Sequence, residues 1–126
     1  VGSANEWTGG TAAERAVVNR YEQDFVDTVR ASGGNNAYRT LLVTTYAASA
    51  EDAAVNDLIV PNGGNIIVSL HYYAPWKFAD GQSTTFGSSE KAELSSKFQS
   101  LRTKLVDRGI VEPVGNTRSR RYVPAG

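Results

Sequence analysis

The stretch Asn65-Ile66-Ile67-Val68-Ser69-Leu70-His71-Tyr72-Tyr73-Ala74-Pro75-Trp76 decides the fold of this protein. Its apolar part is short and is bounded by Pro61-Asn62-Gly63-Gly64 on one side and by Pro75 on the other. Such a run predicts a strand that is covered on both faces, as in a parallel sheet. Ligands of parallel α/β proteins bind at the carboxyl ends of the strands. The residues His71, Tyr73 and Trp76 are therefore candidates for a ligand site.

Helices and further strands are predicted on both sides of this strand. The sequence Thr11-Ala12-Ala13-Glu14 is a capping box that begins a long helix, and Gly33-Gly34 ends it. Residues 40–46 predict a strand, and Ser49 begins a short helix. After a predicted loop at residues 77–88, Ser89 begins a second long helix that Gly109 ends. Residues 110–114 predict a third strand, which Pro113 confines to the edge of a sheet.

The first long helix has an apolar face and a charged face. The apolar set recurs at helical spacing and consists of Val17, Val18, Tyr21, Phe25, Val26 and Val29. The charged set consists of Arg15, Arg20, Glu22, Asp24 and Arg30. This pattern predicts that the apolar set packs on the sheet and that the charged set faces solvent.

Composition excludes several function classes. The chain has 126 residues, and its 13 Lys and Arg balance its 13 Asp and Glu, so no overall charge favours nucleic acid or a membrane surface. It has no cysteine and one histidine, which makes a structural zinc site implausible, and we expect no metal or cofactor. No apolar run approaches the roughly 18 residues of a membrane span. A neutral ligand such as a sugar polymer fits this balance best.

The sequence resembles the family-5 glycoside hydrolases, the cellulases of the (β/α)8-barrel type. The stretches that carry the resemblance are Asn5-Glu6-Trp7-Thr8-Gly9-Gly10, Asn19-Arg20-Tyr21, Gly33-Gly34-Asn35-Asn36, Leu41-Leu42-Val43-Thr44-Thr45-Tyr46, and the strand that ends in His71-Tyr72-Tyr73 with Pro75-Trp76 after it. A whole barrel takes about 250 residues. The resemblance therefore implies an α/β fold that is a partial barrel, with about three parallel strands, two long helices and one short helix.

The family implies retaining hydrolysis of β-1,4-glucan, which needs two carboxyl groups about 5 to 5.5 Å apart. The family's acid/base Glu precedes the segment that matches Asn5-Glu6-Trp7, so we expect this sequence not to include it, and Glu6 matches the loop after it. Aligned without gaps, Gly115 matches the Gly of the nucleophile motif, and Asn116 stands where the nucleophilic Glu belongs. Glu112 is the nearest carboxylate, although it is shifted from the motif. Whether this chain is an enzyme stays open, and we expect little or no hydrolysis from it.

The resemblance also implies supporting and substrate-binding residues. His71 and Tyr73 match the family's His-x-Tyr, whose side chains surround the two carboxylates. Trp76, Trp7 and Tyr46 are candidates for stacking on sugar rings. Each has a plainer interpretation, because a lone histidine at a strand end is more often structural and exposed aromatic residues more often pack at the rim. Tyr72 alternates away from Tyr73 and is expected to pack.

Two other interpretations belong to different classes. In the first, residues 94–122 form a helix and a hairpin with a basic turn, similar to the last helix and wing of a winged-helix DNA-binding domain, but the zero net charge makes nucleic acid an unlikely partner. In the second, the chain is a non-catalytic barrel fragment or carbohydrate-binding remnant, which self-associates because its sheet edges are open. We divide the chain into a partial barrel at residues 1–115 and a basic tail at residues 116–126. The family implies a secreted or extracellular protein.

Overall fold

The computed structural model describes residues 8–114 and 121–124, with side chains as far as residue 111. The chain divides into two compact units, one that ends at His71 and one that spans Tyr72–Ala125. The first contains α1 (Ala12–Ala31), a 3₁₀ turn (Gly34–Ala37), β1 (Leu41–Ser49), α2 (Asp52–Asn56) and β2 (Ile66–His71). The second contains α3 (Trp76–Ala79), α4 (Ser88–Asp107), β3 (Val111–Val114) and β4 (Arg121–Pro124).

The predicted signals at the ends of α1 are confirmed. Glu14 N–H donates to the Thr11 hydroxyl at 3.3 Å, and Thr11 N–H donates to the Glu14 carboxylate at 2.8 Å, which completes the capping box. Beyond the helix, Gly33 and Gly34 have φ values of 73° and 57°. Glycine adopts this left-handed conformation without the steric cost that a Cβ would bring. The chain can therefore reverse towards β1 directly after α1.

The strands β1 and β2 pair in parallel, as predicted. Leu41 is aligned with Ile66 and Val43 with Val68. The side chains of β1 alternate, so that Leu41, Val43 and Thr45 are buried on one face. A core of Val26, Leu41, Val43 and Ile66 fills the space between α1 and this face, with Val29, Val60 and Val68 packed around it. Parallel strands alternating with helices in this way are the arrangement of an α/β barrel.

The face that α1 presents to the sheet differs from the prediction. Val26 is fully buried, but Tyr21 and Phe25 of the same apolar set are exposed. Glu22 of the charged set instead accepts a hydrogen bond from the backbone of Thr44 at 2.6 Å, and Arg30 donates to backbone carbonyls of the turn before β2. A barrel helix packs on its sheet and also on neighbouring helices. The apolar set of α1 is therefore wider than the face that packs on the sheet. Hydropathy alone does not tell which apolar residues face the sheet and which face a neighbouring helix.

The second unit departs from the prediction in three places. Residues 110–114 were expected to join the parallel sheet, but β3 pairs antiparallel with β4, so two parallel strands are present in the described part of the chain. Pro113 has no N–H to donate, which suits an edge position in such a hairpin. The four-residue helix α3 overlaps the start of the predicted loop. The helix α4 begins at Ser88, because the Glu90 carboxylate accepts from Gly87 N–H at 2.9 Å and Gly87 is the N-cap.

These differences leave the fold class intact. The partial α/β barrel is confirmed. The hairpin that the winged-helix interpretation predicted is present as β3 and β4, but a hairpin alone does not indicate nucleic-acid binding. The domain boundary after residue 115 stays a prediction. In the described residues, no helix is long and apolar enough to cross a membrane.

Candidate functional site

The carboxyl ends of β1 and β2 bring two predicted site residues to one edge of the sheet. Tyr46 is half-buried near the end of β1, and His71 is exposed as the last residue of β2. Parallel pairing places both at the same end, and Ser49 is the partner of His71 in the register. This is the edge at which parallel α/β proteins bind ligands.

The end of β1 is irregular at this edge. Between the pairs Thr44–Ser69 and Ser49–His71, residues 45–48 of β1 lie opposite Leu70 alone. Ala47 and Ala48 reach this geometry with φ values of 52° and 53°. A left-handed conformation costs a residue with a Cβ roughly 1–2 kcal/mol. Bulges and backbone strain of this kind concentrate at functional sites.

A buried hydroxyl closes the bulge from inside. Thr45 is almost completely buried, and its Oγ1 donates to the backbone oxygen of Ser49 at 2.6 Å. The Ser49 hydroxyl in turn accepts from Glu51 N–H at 3.1 Å, just before α2 begins. The strained segment is therefore fixed by side chains of β1 itself.

Tyr73 and Trp76 belong to the second unit. Their side chains are 56% and 58% exposed, and Trp76 is the first residue of α3. Tyr72 is half-buried, and its ring meets the ring of Phe98 edge-on at a centroid distance of 5.8 Å. The prediction that Tyr72 packs agrees with this contact. Aromatic rings exposed after a strand end are available to a flat ligand such as a sugar ring.

The remaining predicted site residues lie outside the described side chains. Trp7 and Glu6 precede the first described residue, and Glu112 is described only as a backbone position of β3. Their roles stay predictions, as do the roles of His71, Tyr73, Trp76 and Tyr46. Within the described residues, no group of three acidic, histidine or cysteine side chains could hold a metal ion.

Glu22 is a carboxylate near the sheet that the sequence assigned to solvent. Burial raises its pKa above the ordinary value, and this effect outweighs the hydrogen bonds from Thr44, which act in the opposite direction. Its Oε2 is buried without a hydrogen-bond partner among the described residues. The parallel sheet has two strands in the described chain. The Glu22 carboxylate accepts the hydrogen bond of the Thr44 N–H in β1, in the place of a strand carbonyl. A charged residue inside an apolar helical face is the signal that could have indicated it.

Parallel strands joined by a helix, with polar and aromatic side chains at their carboxyl ends, are characteristic of the α/β-barrel enzymes. The comparisons with known proteins narrow this class. Residues 1–117 match the model of the Cellulase (glycosyl hydrolase family 5) family. The chain belongs to this family, and the resemblance seen in the sequence is confirmed.

Individual relatives and solved structures agree. Endoglucanase B of Clostridium cellulovorans is 43% identical over 122 residues, which covers 91% of this chain and 28% of that relative. The GH5-4 broad specificity endoglucanase from Clostridium acetobutylicum superposes with a TM-score of 0.78 at 44% identity, over 86% of this chain and 34% of that one. ZgEngAGH5_4, solved in complex with a cellotriose, superposes with a TM-score of 0.76 at 46% identity, over 85% of this chain and 34% of that one. The chain spans about a third or less of the length of these relatives.

Proposed function

We propose that this chain forms part of the substrate-binding face of an endo-β-1,4-glucanase barrel. The observation that carries the proposal is the parallel pairing of β1 and β2, which places Tyr46 and His71 at one edge in a chain of the cellulase family. The matched relatives include proteins named endoglucanases, and three solved relatives hold a cellotriose. The complete barrel would hydrolyse β-1,4-glucan with retention, through two carboxylates.

In this proposal the aromatic side chains bind sugar and the polar ones support the chemistry. The exposed indole of Trp76 and the ring of Tyr46 offer flat apolar faces for pyranose rings. His71 and Tyr73 hold the family's carboxylates in position without acting as acid or nucleophile themselves. Glu112 is the one candidate nucleophile in β3, and its displacement from the motif argues against it.

Binding is tested by titrating the purified chain with cellotriose and following indole and tyrosine ring signals by NMR. We expect the Trp76 and Tyr46 signals to shift, and the Trp76→Ala and Tyr46→Ala variants to bind more weakly. Tyr38→Ala is the matched control, because Tyr38 is exposed and precedes β1 at the opposite end of the strand. Equal losses of affinity in the Tyr38 and Tyr46 variants would refute the placement of the site.

Hydrolysis is tested by reducing-sugar release from carboxymethyl-cellulose, with Glu112→Gln and Glu6→Gln variants measured in parallel. We expect no release above a boiled control, because the sequence matches neither catalytic glutamate of the family. Activity that survives purification and falls in one variant would identify that residue as a working carboxylate. It would also contradict a purely binding role for this chain.

We also propose that the isolated chain self-associates. Leu42 and Ile67 are neighbours in the register of the sheet, on the face opposite α1, and both are at least half exposed. Apolar side chains on an open sheet with unpaired edges favour association. Light scattering at micromolar concentration should find a homo-oligomer, and Leu42→Glu should shift it towards monomer. A wild-type chain that is monomeric throughout contradicts this proposal.

An extracellular location accompanies the proposal, since a glucan polymer does not enter cells. Expression in the source organism should place the protein in the culture supernatant. Recovery from the cell fraction alone would count against this location.

A further inference from the structure

A glycine turn lies directly against the ring of Tyr46. Gly9 and Gly10 have φ values of 79° and 70°. A Cβ added to Gly10 would lie 2.7 to 2.9 Å from three carbons of the Tyr46 ring, nearer than real Cβ atoms approach. The backbone of the turn therefore occupies the space beside the ring that a side chain would otherwise take.

Arg15 holds this turn in place. Its Nη1 donates to the backbone oxygen of Gly9 at 3.0 Å and also to that of Gly10. Its Nε donates to Asp57 Oδ2 at 2.8 Å, and the arginine side chain is only 12% exposed. Asn19 fixes the other side of this pair by donating to the Asp57 backbone oxygen at 2.7 Å. The guanidinium thus ties the turn to α1 and to the end of α2.

The opposite side of Tyr46 is fixed as well. The strained pair Ala47 and Ala48 follows it directly, and the buried Thr45 hydroxyl closes the bulge on Ser49. Tyr46 is thus held by its own backbone and by the turn against its ring, which is the kind of support that keeps a binding side chain in one orientation.

We propose that Gly10 and Arg15 are positioning residues that fix the ring of Tyr46 for stacking on a glucose ring of a β-1,4-glucan. This inference rests on the proposed function, because it takes Tyr46 as a sugar-binding residue. It adds that the orientation of the ring is set by the turn before α1 and by the ion pair of Arg15 with Asp57, and not by β1 alone.

The test compares Gly10→Ala with Gly33→Ala. Both glycines have nearly the same φ, 70° and 73°, but a Cβ at Gly33 would meet nothing within 4 Å. The two variants therefore place a Cβ at nearly the same φ, and only one displaces a ring. Gly10→Ala should shift the Tyr46 ring signals and weaken cellotriose binding about tenfold, a loss of about 1.4 kcal/mol. Gly33→Ala should change neither, and equal effects of the two variants overturn the proposal.

A double-mutant cycle separates positioning from general stability. In a Tyr46→Ala background, Gly10→Ala and Arg15→Lys should cause no further loss of affinity, because the side chain that they position is gone. That background also makes room for the added Cβ, so the effect of Gly10→Ala on affinity can be measured there even if Gly10→Ala alone does not fold. A further loss in the double variants would mean that the turn acts elsewhere.

The ring signals distinguish this inference from the proposed function. If cellotriose does not bind the wild-type chain, the proposed function fails. Unchanged Tyr46 signals in Gly10→Ala, measured without any sugar, would instead refute the positioning role. Shifted signals together with weaker cellotriose binding in Gly10→Ala support it.

Discussion

Where side chains are described, the two units of the chain differ in how many apolar side chains they bury. Among the described residues, every buried hydrophobic side chain except Leu101 belongs to the unit that ends at His71. That unit has a helix packed on two parallel strands, whereas the long helix α4 of the other unit leaves Phe98 more than half exposed. Apolar burial is the main favourable contribution to folding. We infer that the first unit is the stable part of the chain and that the second depends more on what packs against it.

The largest effect is expected from a substitution in the core of the first unit. Leu41→Ala removes a side chain that is 5% exposed and should lower the free energy of unfolding by about 2–5 kcal/mol. At concentrations low enough for the chain to be monomeric, Leu42→Ala is the matched control, because the adjacent leucine is 61% exposed on the other face of the same strand, and it should change stability by less than about 0.5 kcal/mol. Urea unfolding followed by circular dichroism measures both. Similar losses would mean that the face with Leu42 is covered in solution.

The comparison of units also separates what the sequence could predict from what it could not. The capping box at Thr11, the glycine pair after α1 and the parallel strands were predicted, because each depends on local chemistry or on a short hydrophobic period. The face of α1 was mispredicted because Phe25 and Val26 are both apolar. Only the packing of the folded chain determines that Val26 is buried and Phe25 is exposed. The direction of β3 was mispredicted because strand pairing is a long-range property that a four-residue run does not encode.

The candidate site follows the same division. His71, Tyr73 and Trp76 were proposed because they lie at or just after the end of a recognisable strand, and the family resemblance gave them roles that stay predictions. Arg15 was assigned to solvent, although it contacts a turn and α2. Its role depends on Asp57, which is 42 residues away in the chain. Contacts at such a separation leave no trace in helical periodicity.

Hydrogen exchange should show the difference between the units directly. Amides of β1 and β2 near Val43 and Val68 should exchange more slowly than those in the middle of α4, because opening the sheet exposes the buried core. We expect at least about a tenfold difference in protection, or 1.4 kcal/mol in opening free energy. Mass spectrometry of peptic fragments would resolve the two sets. Equal protection would show that the chain opens as one cooperative body.

The smallest effects concern two carboxylates, one in each unit, whose pKa values shift in opposite directions. Burial raises the pKa of Glu22. The pKa of Glu90 is lowered by hydrogen bonds from its own backbone N–H, from the Ser89 hydroxyl and from the Gly87 N–H. A raised carboxyl pKa means that the folded state prefers the neutral form. The stabilising contribution of Glu22 is then complete below its ordinary value of 4.5 and is lost as the pH rises through its folded pKa. For Glu90 the contribution is present above 4.5 and is lost as the pH falls through its folded pKa.

The pH dependence of stability in glutamine variants of Glu22 and Glu90 tests the direction of each pKa shift. Glu22→Gln keeps an oxygen for the Thr44 N–H but carries no charge, so its stability relative to wild type should improve as the pH rises from about 3.5 to about 6.5. Glu90→Gln should become less stable relative to wild type over the same range, because it loses the charged acceptor at the start of α4. Urea unfolding at both pH values gives the two differences, and each variant is the control for the other. The same sign in both would mean that Glu22 is solvated in solution, and that the edge of β1 is not covered by its carboxylate.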